Sequence, residues 1–398
     1  MSKTTIHKFV FIVLAGVLFL CNAYAANTNI IPGDAQAEVY LPLLKNKRVA
    51  VFANQASQVG NQNIVDVLVA QKVAVVKIFT PEHGFSVAGD AGAAIKNSSY
   101  HNIPIVSLYG KKTAPNAEDL ADIDVVVFDV QDVGVRYYTY ISSLQRLMEA
   151  ATINHKPLII FDRPNPNGFY IDGPILEPAY KSFVGMQPVP IVYGMTIGEY
   201  AQMLVGEKWL DLRPRDLAAT LKLTIVPLRN YTHTSHYQIQ NPPSPNLPNM
   251  SAIYWYPSLG WFEGTKMSVG RGTATPFQVL GAPKFPESYS FTPQATIGAS
   301  NPPFKNQLCY GWNLQLAESQ VLTEISGQIQ LSYLLKSYHQ TSDKAHFFNS
   351  YFNKLAGNAS LQQQIIRGDD ESTIRASWQS GLAKFRIIRQ KYLLYPDQ

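Results

Sequence analysis

Cysteine is almost missing from this chain: 398 residues hold two, Cys21 and Cys309. The first falls in an N-terminal segment that reads as a removable leader. No disulfide framework is therefore expected in what remains, and cohesion has to come from packing. Long apolar runs are equally scarce. The one candidate, Phe9 to Leu20, follows Lys3, His7 and Lys8 and closes on Ala23-Tyr24-Ala25. It is well short of the roughly 20 residues that a membrane-spanning helix needs, and it has the layout of a secretory signal over residues 1–25. The expectation is a protein exported to the periplasm or beyond, with no membrane span. Charge is thin as well, at 15% of residues with a formal net charge of +5 and no dense Lys/Arg run, so nucleic acid is not an expected partner. Also missing are the G-x-S-x-G elbow, the H-E-x-x-H helix, the P-loop and the G-x-G-x-x-G turn. His233 and His236 have no third ligand nearby in sequence, which makes a zinc site a poor reading. No metal or cofactor is expected, and metal-free hydrolysis by carboxylates is the simplest enzymatic reading.

What is present is a set of short β-branched runs alternating with helix-like segments. The runs are Val49 to Ala53, Val73 to Phe79, Ile105 to Leu108, Val125 to Val130, Leu158 to Phe161 and Leu223 to Val226. They are continuously apolar, as strands buried on both faces are. Ile64 to Ala70 and Thr139 to Asn154 read as helices, the second with Ile141, Leu144, Met148 and Ala151 at helical spacing. The pattern predicts an α/β fold in which a Rossmann-like, mainly parallel sheet domain over 26–232 is followed by a smaller α+β auxiliary domain over 233–398. A Pro- and Asn-rich passage, Asn241 to Pro248, begins the crossing. Aromatic- and Gly-rich loops are expected from there to about Gly311, then helices over Leu314 to Leu335 and Ile374 to Leu393.

Ligands of open parallel sheets bind beyond the carboxyl ends of the strands, and the polar residues of this sequence cluster there. Asn54 follows the first run, Glu82 and His83 the second and Tyr109 the third; Asp129, Asp132 and Arg136 follow the fourth, and Asp162 and Arg163 the fifth. For Asp129 and Asp162 a capping role weighs as much as a chemical one, and Asp162 and Arg163 can simply be ion-paired. Tyr138 and Tyr140 suit either a sugar ring or the core. Glu82 is different. Wedged between Pro81 and His83-Gly84, it favours chemistry over a solvated surface role.

The strings Thr80-Pro81-Glu82-His83-Gly84-Phe85, Phe128 to Tyr140, Asp162-Arg163-Pro164-Asn165-Pro166, Glu263-Gly264-Thr265 and Gly270-Arg271-Gly272-Thr273 resemble those of the exo-β-N-acetylmuramidase family of the NamZ type. The resemblance extends over nearly the whole chain. It implies a glycoside hydrolase that releases N-acetylmuramic acid from the non-reducing end of peptidoglycan-derived saccharides, with its cleft between the two domains. It places the suspected catalytic glutamate at Glu82 and does not place its partner. Glu82 is read here as general acid, and Asp132 or Asp129 as the second carboxylate. Arg271 and Arg136 are candidates to grip the lactyl carboxylate. His83, Tyr109, Tyr138, Asn54, Asp162 and Arg163 complete the expected substrate contacts. The chain departs from the family pattern at Ser86, Ala93 and Val269, which keeps open an alternative, a non-catalytic muropeptide-binding protein.

Overall fold

The structure is a computed structural model and describes residues 29–90, 92, 98–214 and 220–398. The leader read over 1–25 and the departure at Ala93 lie outside the described residues. The six apolar runs become parallel strands Arg48–Ala53, Ala74–Thr80, Ile103–Ser107, Val125–Asp129, Leu158–Phe161 and Leu223–Val226. Numbered along the chain, they lie side by side in the order 3-2-1-4-5-6, the arrangement of dinucleotide-binding sheets. A short antiparallel strand, Ser98–Tyr100, adds an edge that the sequence pattern did not announce. Its Ser-Ser-Tyr composition carries no apolar signal.

Successive side chains of a strand point to opposite faces, and the core divides accordingly. Val49, Val51 and Ala53 join Val125 and Val127 in one apolar cluster, which also takes in Tyr40 and Leu44 of helix Ala37–Leu44 and Ile64 and Leu68 of helix Ile64–Ala70. Ala50 and Phe52 join Val126 and Phe128 on the other face, together with residues of helices Tyr140–Ile153 and Ile197–Gly206. That second cluster runs on without a break through Trp255, Leu280, Leu382 and Phe385. The two halves of the chain therefore share apolar packing.

The second half contains more helix than its composition suggests. Met250–Leu259, expected to be loop, is a helix that starts on an Asn249 cap and contains Pro257. Proline cannot donate to the carbonyl four residues back; that carbonyl, on Ile253, instead accepts from Asn167 Nδ2 at 3.3 Å. The expected helix Leu314 to Leu335 is two helices, Glu318–Ile325 and Ser332–Gln340. The break falls at Ser326 and Gly327, both left-handed, with φ of 46° and 66°, a common way to end a helix. Helix Glu371–Gln390 matches the last expected one. Strands Val279–Ala282, Cys309–Asn313 and Tyr289–Phe291 form a small antiparallel sheet with Cys309–Asn313 in the middle. Among the described residues no helix is long and apolar enough to cross a membrane.

Candidate active site

Strand Ala74–Thr80 ends in a turn whose direction is set by two left-handed residues, His83 at φ 70° and Gly84 at φ 73°. The turn leaves the Glu82 carboxylate in a fixed position. Its Oε2 accepts from Thr139 Oγ1 at 2.6 Å and its Oε1 from the Gly92 amide at 2.8 Å. Thr139 stands at the start of helix Tyr140–Ile153 but does not use its hydroxyl to cap it, so that hydroxyl serves Glu82 instead. His83 Nδ1 lies 2.7 Å from the Gly89 carbonyl and its Nε2 3.3 Å from Ser244 Oγ. Burial lowers the basicity of this imidazole against the opposing pull of Glu82, so it is neutral at neutral pH.

These residues line a cavity of about 300 Å³ whose opposite wall comes from the second half of the chain, with Tyr256, Glu263, Arg271, Phe277 and Tyr351. Glu82 and Glu263 are the two carboxylates in that lining. Glu263 sits in the single turn Gly260–Gly264 and accepts from Arg271 Nε at 2.6 Å. Arg271 lies with its guanidinium carbon 5.1 Å from the centre of the Phe277 ring, and its Nη1 is buried without a hydrogen-bond partner. Burial works against its charge, but Glu263 and Glu82 together hold it protonated, above its ordinary value. Tyr109, also in the lining, has its phenol pushed up by burial and by the adjacent Glu82. Tyr138 lines the cavity with its hydroxyl donated to the Pro243 carbonyl at 2.8 Å.

Glu82, His83, Tyr109, Tyr138 and Arg271 are thus brought together. The other residues expected at the rim do not line this cavity, because internal bonding has taken them up. Arg163 grips Asp129 through Nε at 2.5 Å and Nη2 at 2.9 Å, and Asp34 at 2.6 Å; burial pushes the Asp34 carboxyl up to about 7. Asp162 accepts from Thr196 Oγ1, the Gly198 amide and Tyr395 Oη at 2.6 to 2.8 Å. Asn54 donates to Tyr140 Oη at 2.9 Å. Asp132 accepts from Tyr193 Oη and the Gly134 amide. Its other oxygen is buried unpartnered, and burial raises this carboxyl to about 6.

Arg136 is fully buried and donates only to main-chain carbonyls. Nη1 reaches Pro174 and Val189 at 2.8 Å each, and Nη2 reaches Leu355 and Ala356 at 2.9 and 2.7 Å. A guanidinium with four carbonyl acceptors has little left for a substrate. Glu263, Thr139 and Tyr351 were missing from the sequence-derived set. Glu263 had a signal, its own Glu-Gly-Thr string, but nothing local shows that this string faces Glu82 across a cleft. Among the described residues no three His, Cys, Asp or Glu side chains gather in a metal-binding group.

A doubly wound sheet with a half-buried arginine and two glutamates in one cavity over its strand ends has the equipment of a carboxylate-based hydrolase. The comparisons make the class specific. The chain belongs to the exo-β-N-acetylmuramidase NamZ family: its N-terminal part matches over residues 49–251 and its C-terminal part over 254–395. It is 35% identical over 381 residues, 89% of each chain, to the peptidoglycan β-N-acetylmuramidase NamZ of Bacillus subtilis (strain 168). Two crystal structures of DUF1343 family proteins from Bacteroides fragilis NCTC 9343 share the fold. One has a TM-score of 0.84 at 43% identity, covering 93% of this chain and 100% of that one. The other has a TM-score of 0.72 at 28% identity, covering 92% and 99%.

Proposed function

We propose that this protein is an exo-β-N-acetylmuramidase that releases N-acetylmuramic acid from the non-reducing end of peptidoglycan fragments. The observation that carries the reading is Arg271, a half-buried cation that lines one cavity together with Glu82 and Glu263 and is ion-paired there through its Nε to Glu263. The lactyl carboxylate is what distinguishes muramic acid from other hexosamines, and a guanidinium with free N–H groups recognises a carboxylate in preference to a hydroxyl.

Glu82 is the general acid in this reading. It gives its proton to the glycosidic oxygen as the bond to the anomeric carbon breaks, with the electron pair staying on that oxygen. Glu263, ion-paired to Arg271, is the second carboxylate and offsets the positive charge that builds at the anomeric carbon. Water then supplies the hydroxyl to that carbon, and its remaining proton restores the acid. Asp132 and Asp129, the sequence-derived candidates for the second role, are occupied elsewhere. With residues 1–25 as leader, the enzyme meets its substrate outside the cytoplasm. Incubation with the disaccharide of N-acetylmuramic acid linked to N-acetylglucosamine tests the proposal: free N-acetylmuramic acid is the expected product, and an intact disaccharide after prolonged incubation refutes it.

A further inference from the structure

The second half of the chain carries an open groove of about 570 Å³ that shares no lining residue with the cleft. Strand Cys309–Asn313 supplies Trp312, helix Ser332–Gln340 supplies Lys336 and Tyr338, and helix Ser360–Arg367 supplies Ile366; Lys344 stands beside them. We propose that this groove is a non-catalytic saccharide site, which holds an acidic glycan chain of the substrate polymer while the cleft works on a chain end. The identity of the polymer rests on the muramidase reading.

Both rings of the groove are set in place from behind. Trp312 meets Phe285 and Tyr333 edge-on, with centroids 5.1 and 5.6 Å apart, and Tyr338 rests against Phe347 and Phe348 at 5.5 Å each. Little ordering is left for a ligand to impose on them. Trp312 is half-buried and its indole N–H has no protein partner among the described residues, so it presents an apolar face and a donor together. A pyranose, with C–H faces and hydroxyl edges, needs both. Charge decides which saccharide fits. The acids of the lining are already engaged, Asp369 with Arg367 at 2.6 Å and Glu287 with Gln340 Nε2 at 3.2 Å. The ammonium of Lys336 has no partner among the described residues, and that of Lys344 has only the Tyr338 ring, 5.7 Å away. Two cations without counter-charge beside an aromatic floor favour a saccharide that bears carboxylates over a neutral one. Position adds a use for such a contact. Lys344 and the cleft residue Tyr351 lie on one segment, at most about 25 Å apart along the chain. A glycan held in the groove keeps neighbouring chain ends at high local concentration around the cleft.

Co-sedimentation with insoluble peptidoglycan, in the presence of excess free N-acetylmuramic acid to occupy the cleft, tests the groove. Lys336→Glu/Lys344→Glu, which reverses two exposed cations, should weaken binding at least about tenfold. Its kcat/KM on a soluble aryl N-acetylmuraminide should stay that of the native enzyme. Trp312→Ala should weaken binding too, with a melting curve to show that it is folded; if it is not, the charge reversal decides alone. Lys45→Glu/Lys72→Glu reverses two exposed lysines that lie outside the groove and should sediment like the native protein. Native-like sedimentation of Lys336→Glu/Lys344→Glu overturns the proposal, and so does an equal loss in the Lys45→Glu/Lys72→Glu control, which would mean adsorption by charge alone. Binding is read here without turnover. A native enzyme that leaves the aryl muraminide intact would overturn the muramidase reading instead, so the two failures are distinguishable.

Discussion

Replacing Arg271 by methionine removes the charge while keeping a side chain that can lie against Phe277. In the native cavity the guanidinium is held from one side by Glu263 at 2.6 Å and lies over the Phe277 ring at 5.1 Å. A substrate carboxylate placed there without its partner costs about 2 to 5 kcal/mol, the range for truncating one member of a buried charged pair. At 1.36 kcal/mol per decade this is roughly a 30-fold to 5,000-fold loss in kcat/KM on an aryl N-acetylmuraminide. The same substitution also leaves Glu263 unpaired, which harms turnover of any sugar. The informative quantity is therefore the ratio of rates on the muraminide and the matching N-acetylglucosaminide, in which harm common to both cancels. The native enzyme should favour the muraminide by roughly the factor above, and Arg271→Met should bring the ratio to about one. A variant that loses activity on both sugars in equal proportion, with the preference intact, refutes carboxylate recognition by Arg271.

Glu82→Gln keeps an oxygen to accept from the Gly92 amide and an NH2 that the Thr139 hydroxyl can accept from, but cannot donate the acid's proton. Turnover of the disaccharide should drop by roughly 10² to 10⁴, with a smaller drop on an aryl muraminide that needs less protonation; equal drops on both would mean that the carboxyl braces its loop. Arg136→Met should leave the muraminide preference unchanged but lower the melting temperature, because four buried carbonyls lose their donor at a cost of at least about 3 kcal/mol; a lost preference without destabilisation would put Arg136 back in recognition. Asp132 predicts a pH effect. Burial lifts its carboxyl from the ordinary 3.8 to about 6, so between those values the folded chain holds a proton that the unfolded chain has released. The stability this group contributes should fall as pH rises through that window, by at most about 3 kcal/mol. Asp132→Asn should flatten the melting-temperature profile over the same range, and superimposable profiles would contradict the assignment.

The parallel sheet was legible because strands buried on both faces are written as uninterrupted apolar runs, and six such runs were found where six parallel strands lie. Helix Met250–Leu259 was not, since Pro257 and the preceding Pro- and Asn-rich passage look like loop until Asn167 is seen supplying the missing donor. The site divided along a similar line. Glu82 could be singled out because its constraint is local, a proline on one side and a left-handed turn on the other. Asp129, Arg163 and Asp162 carry the same residue types in an equally suggestive place, yet their partners Asp34, Thr196 and Tyr395 are distant in sequence. Whether a polar residue at a strand end faces ligand or fold is decided by those distant partners. Glu263 shows the converse, a residue in an unremarkable turn that comes to share a cavity with Glu82 only when the second half of the chain closes over the first.

The four carbonyls around Arg136 belong to both halves: Pro174 and Val189 from the sheet-bearing part, Leu355 and Ala356 from the other. Gly357 comes close enough that a side chain there would meet Nη2 at 2.6 Å, and Leu355 itself lines the cavity. Such a joint resists rotation. Opening the cleft like a jaw would strip donors from buried carbonyls, so the aperture is set by the resting fold. Substrate then enters a mould already cut to size, with little ordering left to be done on binding. Rapid-mixing traces of inhibitor capture by this enzyme should accordingly show one concentration-dependent phase, with no slower isomerisation following it.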